Sequence, residues 1–258
     1  MSVYQHFRDE EKGFIDQVLD WKQDVELKYA PRLTAFLDPR QQHIMQSIIG
    51  SAADIKVAFE GGAEDSERKR ALLYPDYLEP VKDDFELALL DVGFPSKFVQ
   101  LTHGDILGSL MGLGIKREAL GDILTSRDRI QLISTKEMKD FLIMNLVQAG
   151  KAKVQVTEEK WESIIEPENK WTEKNVLVSS MRLDTVLAGA VNISRQKAQL
   201  LIQGGKVKVN FRQEEKTSFE LDQGDMISVR GYGRMRVGEQ SGITKKDKIR
   251  LNFYFLQS

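Results

Sequence analysis

Residues 194–210 read SRQKAQLLIQGGKVKVN. Ser194 suits a helix N-cap, because its hydroxyl can accept from a free amide of the first turn. Ala198, Leu201 and Ile202 follow with i, i+3, i+4 spacing and form one buried stripe. At about 100° per residue, Arg195, Gln196, Gln199 and Gln203 fall together on another face. Gly204 or Gly205 is expected to end the helix in the left-handed conformation. The segment KVKVN then alternates, which sets Lys206, Lys208 and Asn210 on one side of a strand and Val207 and Val209 on the other. Just upstream, MRLDTVLAGA (181–190) places Leu183, Val186, Leu187 and Ala190 on one side of a second short helix. Two short helices leading into a small sheet present cations and amides beside a helix N-terminus. Such a surface suits the phosphates and bases of folded RNA.

The charge distribution agrees. The chain of 258 residues has a formal net charge of −2. From Val176 onward there are 14 Lys+Arg against 8 Asp+Glu, a balance of +6, while residues 1–175 hold 23 against 31, a balance of −8. A basic C-terminal module on an acidic body points to a polyanion partner for that module alone. The same module holds RGYGRMR (230–236), where Arg230, Arg234 and Arg236 are interleaved with Tyr232. Arginine contacts phosphate, and tyrosine can stack on an unpaired base.

The rest of the chain reads as two further blocks. In residues 1–78, Phe7, Phe14, Val18, Trp21, Val25 and Leu27 are near helical spacing, with Pro31 soon after. Asp38 is an N-cap with Pro39 at the first position of a second helix. DIKVAF and RKRALLY are two strands joined by EGGAEDSE. In residues 79–165, DFELALLDV and SKFVQL are extended, and THGDILGSLMGLG is a helix opened by Thr102 and ended at Gly114. GDILTSRDRIQLIS is a hairpin, TKEMKDFLIMNLVQAG an amphipathic helix closed by Gly150, and KAKVQVT a strand. Strand, helix, hairpin, helix, strand is the order of a ferredoxin-like or RNA-recognition-motif-like α+β sandwich. EPENKWTEKN (166–175) is expected to be a linker. The fold class is therefore α+β: an N-terminal α/β block (1–78), the ferredoxin-like middle domain (79–165) and the basic domain (176–258).

The segment 182–210 resembles the alpha-L RNA-binding motif named for ribosomal small-subunit protein four. The resemblance is carried by Arg182-Leu183-Asp184, Leu187, Ser194-Arg195, Ala198, Leu201-Ile202, the glycine pair and Val207 through Asn210. LDQGDMISVRGYGR matches its closing turn, with Gly224-Asp225 at the turn. FLDPRQQ, ERKRALL, SKFVQLTHGDILGSLMGLGIKRE and GDIL extend the likeness over essentially the whole chain, to the YlmH-type proteins of Gram-positive bacteria and their chloroplast relatives. This resemblance implies a cytoplasmic RNA-binding protein working at the ribosome, often encoded among cell-division genes. Related small heat-shock proteins with the module bind large subunits that carry a stranded nascent chain on tRNA, which implies a role in rescue. The expected partners are structured rRNA or tRNA and the large subunit, with a protein partner for the N-terminal blocks. The expected RNA contacts are Arg182, Ser194, Arg195, Gln196, Lys197, Gln199, Gln203, Lys206, Lys208, Asn210, Arg212, Arg230, Tyr232, Arg234 and Arg236. Lys116 and Arg117 are expected to form a secondary contact, and the run Glu67–Arg70 reads either as a further RNA patch or as a solvated strand edge.

Rival chemistries find little support. Arg182-Leu183-Asp184 also resembles the catalytic triplet of one pseudouridine synthase class, in which the aspartate is the nucleophile. Here it opens a helix of the binding module and is followed by Val186-Leu187-Ala188-Gly189, so an Asp184 paired with a nearby cation is the simpler reading. An RNA-modifying enzyme anchored by the module, or an adaptor to cell division, are the alternatives carried forward. His6, His43 and His103 have no ligand spacing and the chain has no cysteine, so no metal is expected. The glycine-rich GSLMGLG and GGAEDSER lack the Lys-Ser/Thr of a phosphate loop, so no nucleotide cofactor is expected. The charged opening lacks the apolar core of a signal peptide, and no apolar run nears the roughly 20 residues of a membrane span.

Overall fold

The first apolar stripe forms helix α1 (Lys12–Lys28), with Ile15, Val18 and Val25 buried. The structure is a computed structural model that describes residues 11–50, 54–126, 128–166, 171–244 and 247–256. It divides into two compact units, Met1–Glu168 and Asn169–Ser258. Phe7 and His6 lie outside the described residues. Leu27, assigned to the apolar stripe, is instead 70% exposed, because two residues after buried Val25 it lies about 200° round the helix, on the opposite side. Tyr29 ends α1 at a φ of 49°, with Pro31 two residues on.

Strand β1 (Arg32–Leu37), which the sequence reading passed over, comes next. Helix α2 (Pro39–Ile49) starts as expected: the Asp38 carboxylate accepts from Gln41 N, and Gln41 reaches back to the Asp38 amide. Strands β2 (Ile55–Glu60) and β3 (Lys69–Pro75) pair antiparallel, and the sheet order is β1-β3-β2. One face of this sheet packs on α1 and α2 through Val18, Val25, Met45, Ile49 and Leu73.

The next segment runs through β4 (Leu87–Gly93), α3 (His103–Gly112), β5 (Leu120–Thr125), β6 (Ile130–Thr135) and α4 (Lys136–Asn145). It continues through the small hairpin β7 (Gln148–Ala149) and β8 (Ala152–Lys153) to β9 (Gln155–Glu159). Sheet order β5-β6-β4-β9, all antiparallel, is the ferredoxin-like arrangement expected. Thr102 caps α3 with Asp105 in a capping box. Two expectations fail locally. SKFVQL is a turn rather than extended, because the Pro95 carbonyl accepts from both Phe98 N and Val99 N. Helix α4 ends at Asn145, and Gly150, at a φ of 53°, turns the β7–β8 hairpin against Asp105.

The face that an RNA-recognition motif leaves open for bases is closed here. Leu90, Val92 and Leu132 face α3 and α4. Leu87, Leu89, Leu124 and Ile133 face the other way, onto Phe36 and Leu72 of the N-terminal sheet. Burial on both faces explains the unbroken LALL of β4. Buried Gln131 holds the covering segment, donating to Ser163 O and accepting from Ile165 N.

In the C-terminal unit, β10 (Trp171–Val178) begins five residues inside the expected linker. Helices α5 (Leu183–Ala190) and α6 (Arg195–Gln203) follow, then β11 (Val207–Val209), β12 (Arg212–Gln213), β13 (Met226–Val229), β14 (Gly233–Ile243) and β15 (Ile249–Leu256). The sheet is antiparallel, in the order β10-β15-β14-β13-β11-β12. Alternate residues Val176, Val178, Val207, Val209, Ile227, Val229, Met235, Val237, Leu251 and Phe253 pack on Leu183, Val186, Leu187, Ala198 and Ile202 of the two helices.

Candidate nucleic-acid interface

Asp184 organises the helix pair. It lies in the first turn of α5 and has no solvent exposure. Its Oδ1 accepts from Arg182 Nε (3.2 Å) and Thr185 Oγ1 (3.3 Å). Its Oδ2 accepts from Arg195 Nε (2.9 Å), Gln199 Nε2 (2.9 Å) and Arg182 Nη2 (3.3 Å). Arg195 and Gln199 are one turn apart on α6, so both reach the same carboxylate. Burial acts to raise the Asp184 pKa, but the hydrogen bonds from Arg182, Arg195 and Gln199 outweigh it together and hold the carboxyl well below the usual carboxylate range. With both oxygens engaged, Asp184 is a pinned counterion.

The expected contact residues therefore divide. Ser194 caps α6, its Oγ accepting from Lys197 N. Arg195 keeps a half-exposed guanidinium while tied to Asp184, and Arg182 is one-third exposed. Gln196, Lys197 and Gln203 stand in solvent around Leu200, itself 65% exposed. Of the two glycines, Gly205 takes the left-handed conformation at a φ of 65°, while Gly204 does not. Lys206 is exposed just beyond the turn. Lys208 is exposed between buried Val207 and Val209, on the face of the sheet turned away from α5 and α6, so the lysine strand and the helix surface are not one patch.

Asn210 is a turn lock. At a φ of 49° its side-chain Nδ2 donates to Asp225 Oδ1 (2.8 Å), while its side-chain Oδ1 accepts from Met226 N (2.9 Å). Arg212 is half-buried, with a buried Nε that has no hydrogen-bond partner among the described residues. Arg230 is exposed after β13. Tyr232 is half-buried, its ring packed against the core. Arg234 lies over Phe211 at 5.9 Å, and Arg236 over Trp171 at 4.9 Å.

The secondary candidates behave differently. Arg117 is half-buried and donates to Gly121 O (2.9 Å), which leaves only Lys116 in solvent. In the run Glu67–Arg70, Arg68 donates to Leu120 O and Phe36 O. Arg70, 7% exposed, donates to Thr34 O, Phe85 O and Glu86 O. Burial lowers the pKa of both arginines. Their backbone neighbourhood is fixed by Asp122, which accepts from Glu67 N and Arg68 N. These guanidiniums join the two sheets of the first unit instead of forming a solvated edge or an RNA patch.

Both units hold ion-paired and unpaired cations; in the first, exposed Lys56, Lys82, Lys97, Lys116, Lys136, Lys151 and Lys153 have no ion pair with a described residue. In the same unit, Arg32 and Lys28 share Asp24, Arg40 meets Glu11, Arg129 meets Asp91 and Lys139 meets Glu158. In the second, Lys197, Lys206, Lys208, Arg230, Arg236 and Arg250 have no ion pair with a described residue. Trp171, Tyr254 and Arg250, which sequence reading missed, share the exposed sheet face; the alternation in IRLNFYFL (249–256) was the available signal.

Comparison with known proteins matches three consecutive family models: the YlmH N-terminal family over residues 10–78, the YlmH RNA-binding-domain family over 80–163 and the S4 domain over 181–227. In Bacillus subtilis (strain 168), ribosome-associated protein quality control protein P2 is 44% identical over 252 residues, 98% of this chain and 98% of that protein. The solved structure of cell division protein ylmH from Streptococcus pneumoniae aligns with a TM-score of 0.55 at 34% identity, covering 64% of this chain and 100% of that one. With a relative this similar over nearly its full length, and matches to both YlmH models beside the S4 domain, the chain belongs to the YlmH family.

Proposed function

We propose that this chain is a non-enzymatic, cytoplasmic RNA-binding protein that docks on structured rRNA or tRNA through its C-terminal unit. The observation that carries the reading is the set of cations around α6 and β13, Lys197, Lys206 and Arg230, exposed and without carboxylate partners among the described residues. Exposed unpaired cations attract phosphate, and those of the C-terminal unit sit on a balance of +6 from Val176 onward, against −8 for residues 1–175. The pinned Asp184 supports a binding role over a nucleophilic one. The name of the Bacillus subtilis relative supports work at the ribosome, here assigned to the large subunit and to rescue of stalled nascent chains. Residues 1–78 and 79–165 form two domains stacked through their sheets, supported by the matches over 10–78 and 80–163. The name of the Streptococcus pneumoniae relative favours a second role for that body, as an adaptor toward a cell-division protein.

The test is sedimentation of cell lysate through a sucrose gradient at physiological salt. The intact chain is expected with large subunits, and the Lys197→Glu/Lys206→Glu/Arg230→Glu variant near the top. Intact protein that stays at the top rejects the reading. A variant that sediments like the intact chain moves the contact to residues 1–168.

A further inference from the structure

Among the described residues, the six-stranded sheet of the C-terminal unit has helices on one face only. Its other face is built from the alternate residues. One cross-strand row holds Lys208, Ser228 and Arg234, and the next holds Met226, Arg236, Tyr254 and Glu173. Trp171 and Arg250 flank these rows on the same side. Four cations and one carboxylate thus share the face, and Lys208, Arg236 and Arg250 have no ion pair with a described residue. Aromatic rings lie among them. The Arg236 guanidinium is 4.9 Å from the Trp171 ring centre. Tyr254 lies against Gly238, where a Cβ would come within 2.7 Å of the ring, so one side of that ring is set against the strand. Residues 171–178 and 233–256, which supply most of this surface, fall outside the S4 match.

We propose that this open face is a second RNA-binding surface, one that takes an unpaired stretch of RNA. It rests on the reading that the C-terminal unit binds RNA. Phosphate is the charge complement of Lys208, Arg236 and Arg250. An aromatic ring or a guanidinium plane can receive a base only where the base is unstacked, which selects single-stranded segments over the interior of a helix. The surface lies opposite α5 and α6, so it can be engaged while the helix side holds structured RNA.

The experiment measures fluorescence anisotropy of two probes with the full-length chain: a blunt RNA hairpin, and the same hairpin with an unpaired uridine tail. The tail is expected to tighten binding about tenfold, within the range of one or two base stacks. Tyr254→Ala and Arg236→Gln should each remove most of that gain and leave the blunt hairpin bound as before. Tyr254→Phe should keep the gain, and Lys197→Glu should weaken both probes alike. Equal affinity of the intact chain for the two probes overturns the second surface while leaving RNA binding intact. Failure to bind either probe rejects the underlying reading and this proposal with it. Persistence of the gain in both face variants also overturns it, and their loss from the ribosome fractions would then assign the face to a protein.

Discussion

Arg195 Nε lies 2.9 Å from Asp184 Oδ2 and ties the first turn of α6 to the first turn of α5. A residue that looks like a free phosphate ligand in the sequence is thus part of the joint between two helices. Removing the carboxylate leaves two guanidiniums and an amide facing each other. Both guanidiniums keep some solvent contact, so the cost is held near the low end for a broken buried network. Asp184→Ala is expected to destabilise the C-terminal unit by about 2 kcal/mol, and Asp184→Asn by less. Urea unfolding followed by circular dichroism measures both. Arg195→Glu places a second carboxylate against the first and should unfold the joint as well as weaken RNA binding, so Lys197→Glu is the cleaner probe of recognition.

Acid gives an independent handle on the same carboxyl. Its pKa is depressed in the folded state, so the stabilisation it brings is fully present above the unfolded value, about 3.9. That stabilisation is lost as pH falls from there through the lower folded value. Stability of the intact chain should therefore drop more steeply below about pH 4 than that of Asp184→Asn. Thermal melts at stepped pH decide this; parallel curves would show that Asp184 carries no proton linkage.

Arg70 is the corresponding residue of the first unit. Its guanidinium serves three carbonyls, those of Thr34, Phe85 and Glu86, in a buried setting. Arg70→Met leaves those acceptors without their donor, at about 3 kcal/mol or more. Arg70→Lys should rescue little, because an ammonium cannot reproduce the planar fork. Urea denaturation should show the midpoint of the first unit lowered in both variants.

Binding of a structured RNA should weaken steeply with salt, since each phosphate neutralised releases counterions. Lys197→Ala should lower the slope of log affinity against log salt by about 1, with little dependence on RNA sequence. Lys28→Ala, which removes a partner of Asp24, should leave the slope unchanged. Equal slopes in all three proteins would show that Lys197 touches no phosphate.

Helix caps and strand alternation were readable because they are local. Asp38-Pro39, Thr102 and Ser194 open helices as their side chains dictate, and Val207 and Val209 alternate with Lys208 as a half-buried strand requires. What could not be read was which charges are free. Arg70, Arg117 and Arg195 look like Lys116 and Lys197 in a sequence, yet each is committed to oxygens brought near by folding. The closed face of the ferredoxin-like sheet had a local trace, the unbroken LALL, but its cover of Phe36 and Leu72 comes from the other sheet. Strand β1 was missed because its six residues sit between two helices, and pairing with β3 across an intervening helix decides their state.

The start of β10 makes the boundary of the C-terminal unit testable. Trp171 through Val178 pair with Leu256 through Ile249 along the full strand. A fragment beginning at residue 176 discards five of those eight pairs, together with the Trp171 ring under Arg236. Each cross-strand pair contributes up to about 1 kcal/mol, and β15 would become an uncovered edge. Fragment 169–258 is therefore expected to fold cooperatively, and fragment 176–258 to be less stable by about 1–4 kcal/mol. The longer fragment should bind a structured RNA with nearly the affinity of the intact chain. Paired thermal melts and anisotropy titrations on the two fragments measure both quantities. Equal melting of the two would mean that the segment 171–175 adds nothing to the sheet it borders, and weak RNA binding by a well-folded 169–258 would bring the first unit into recognition.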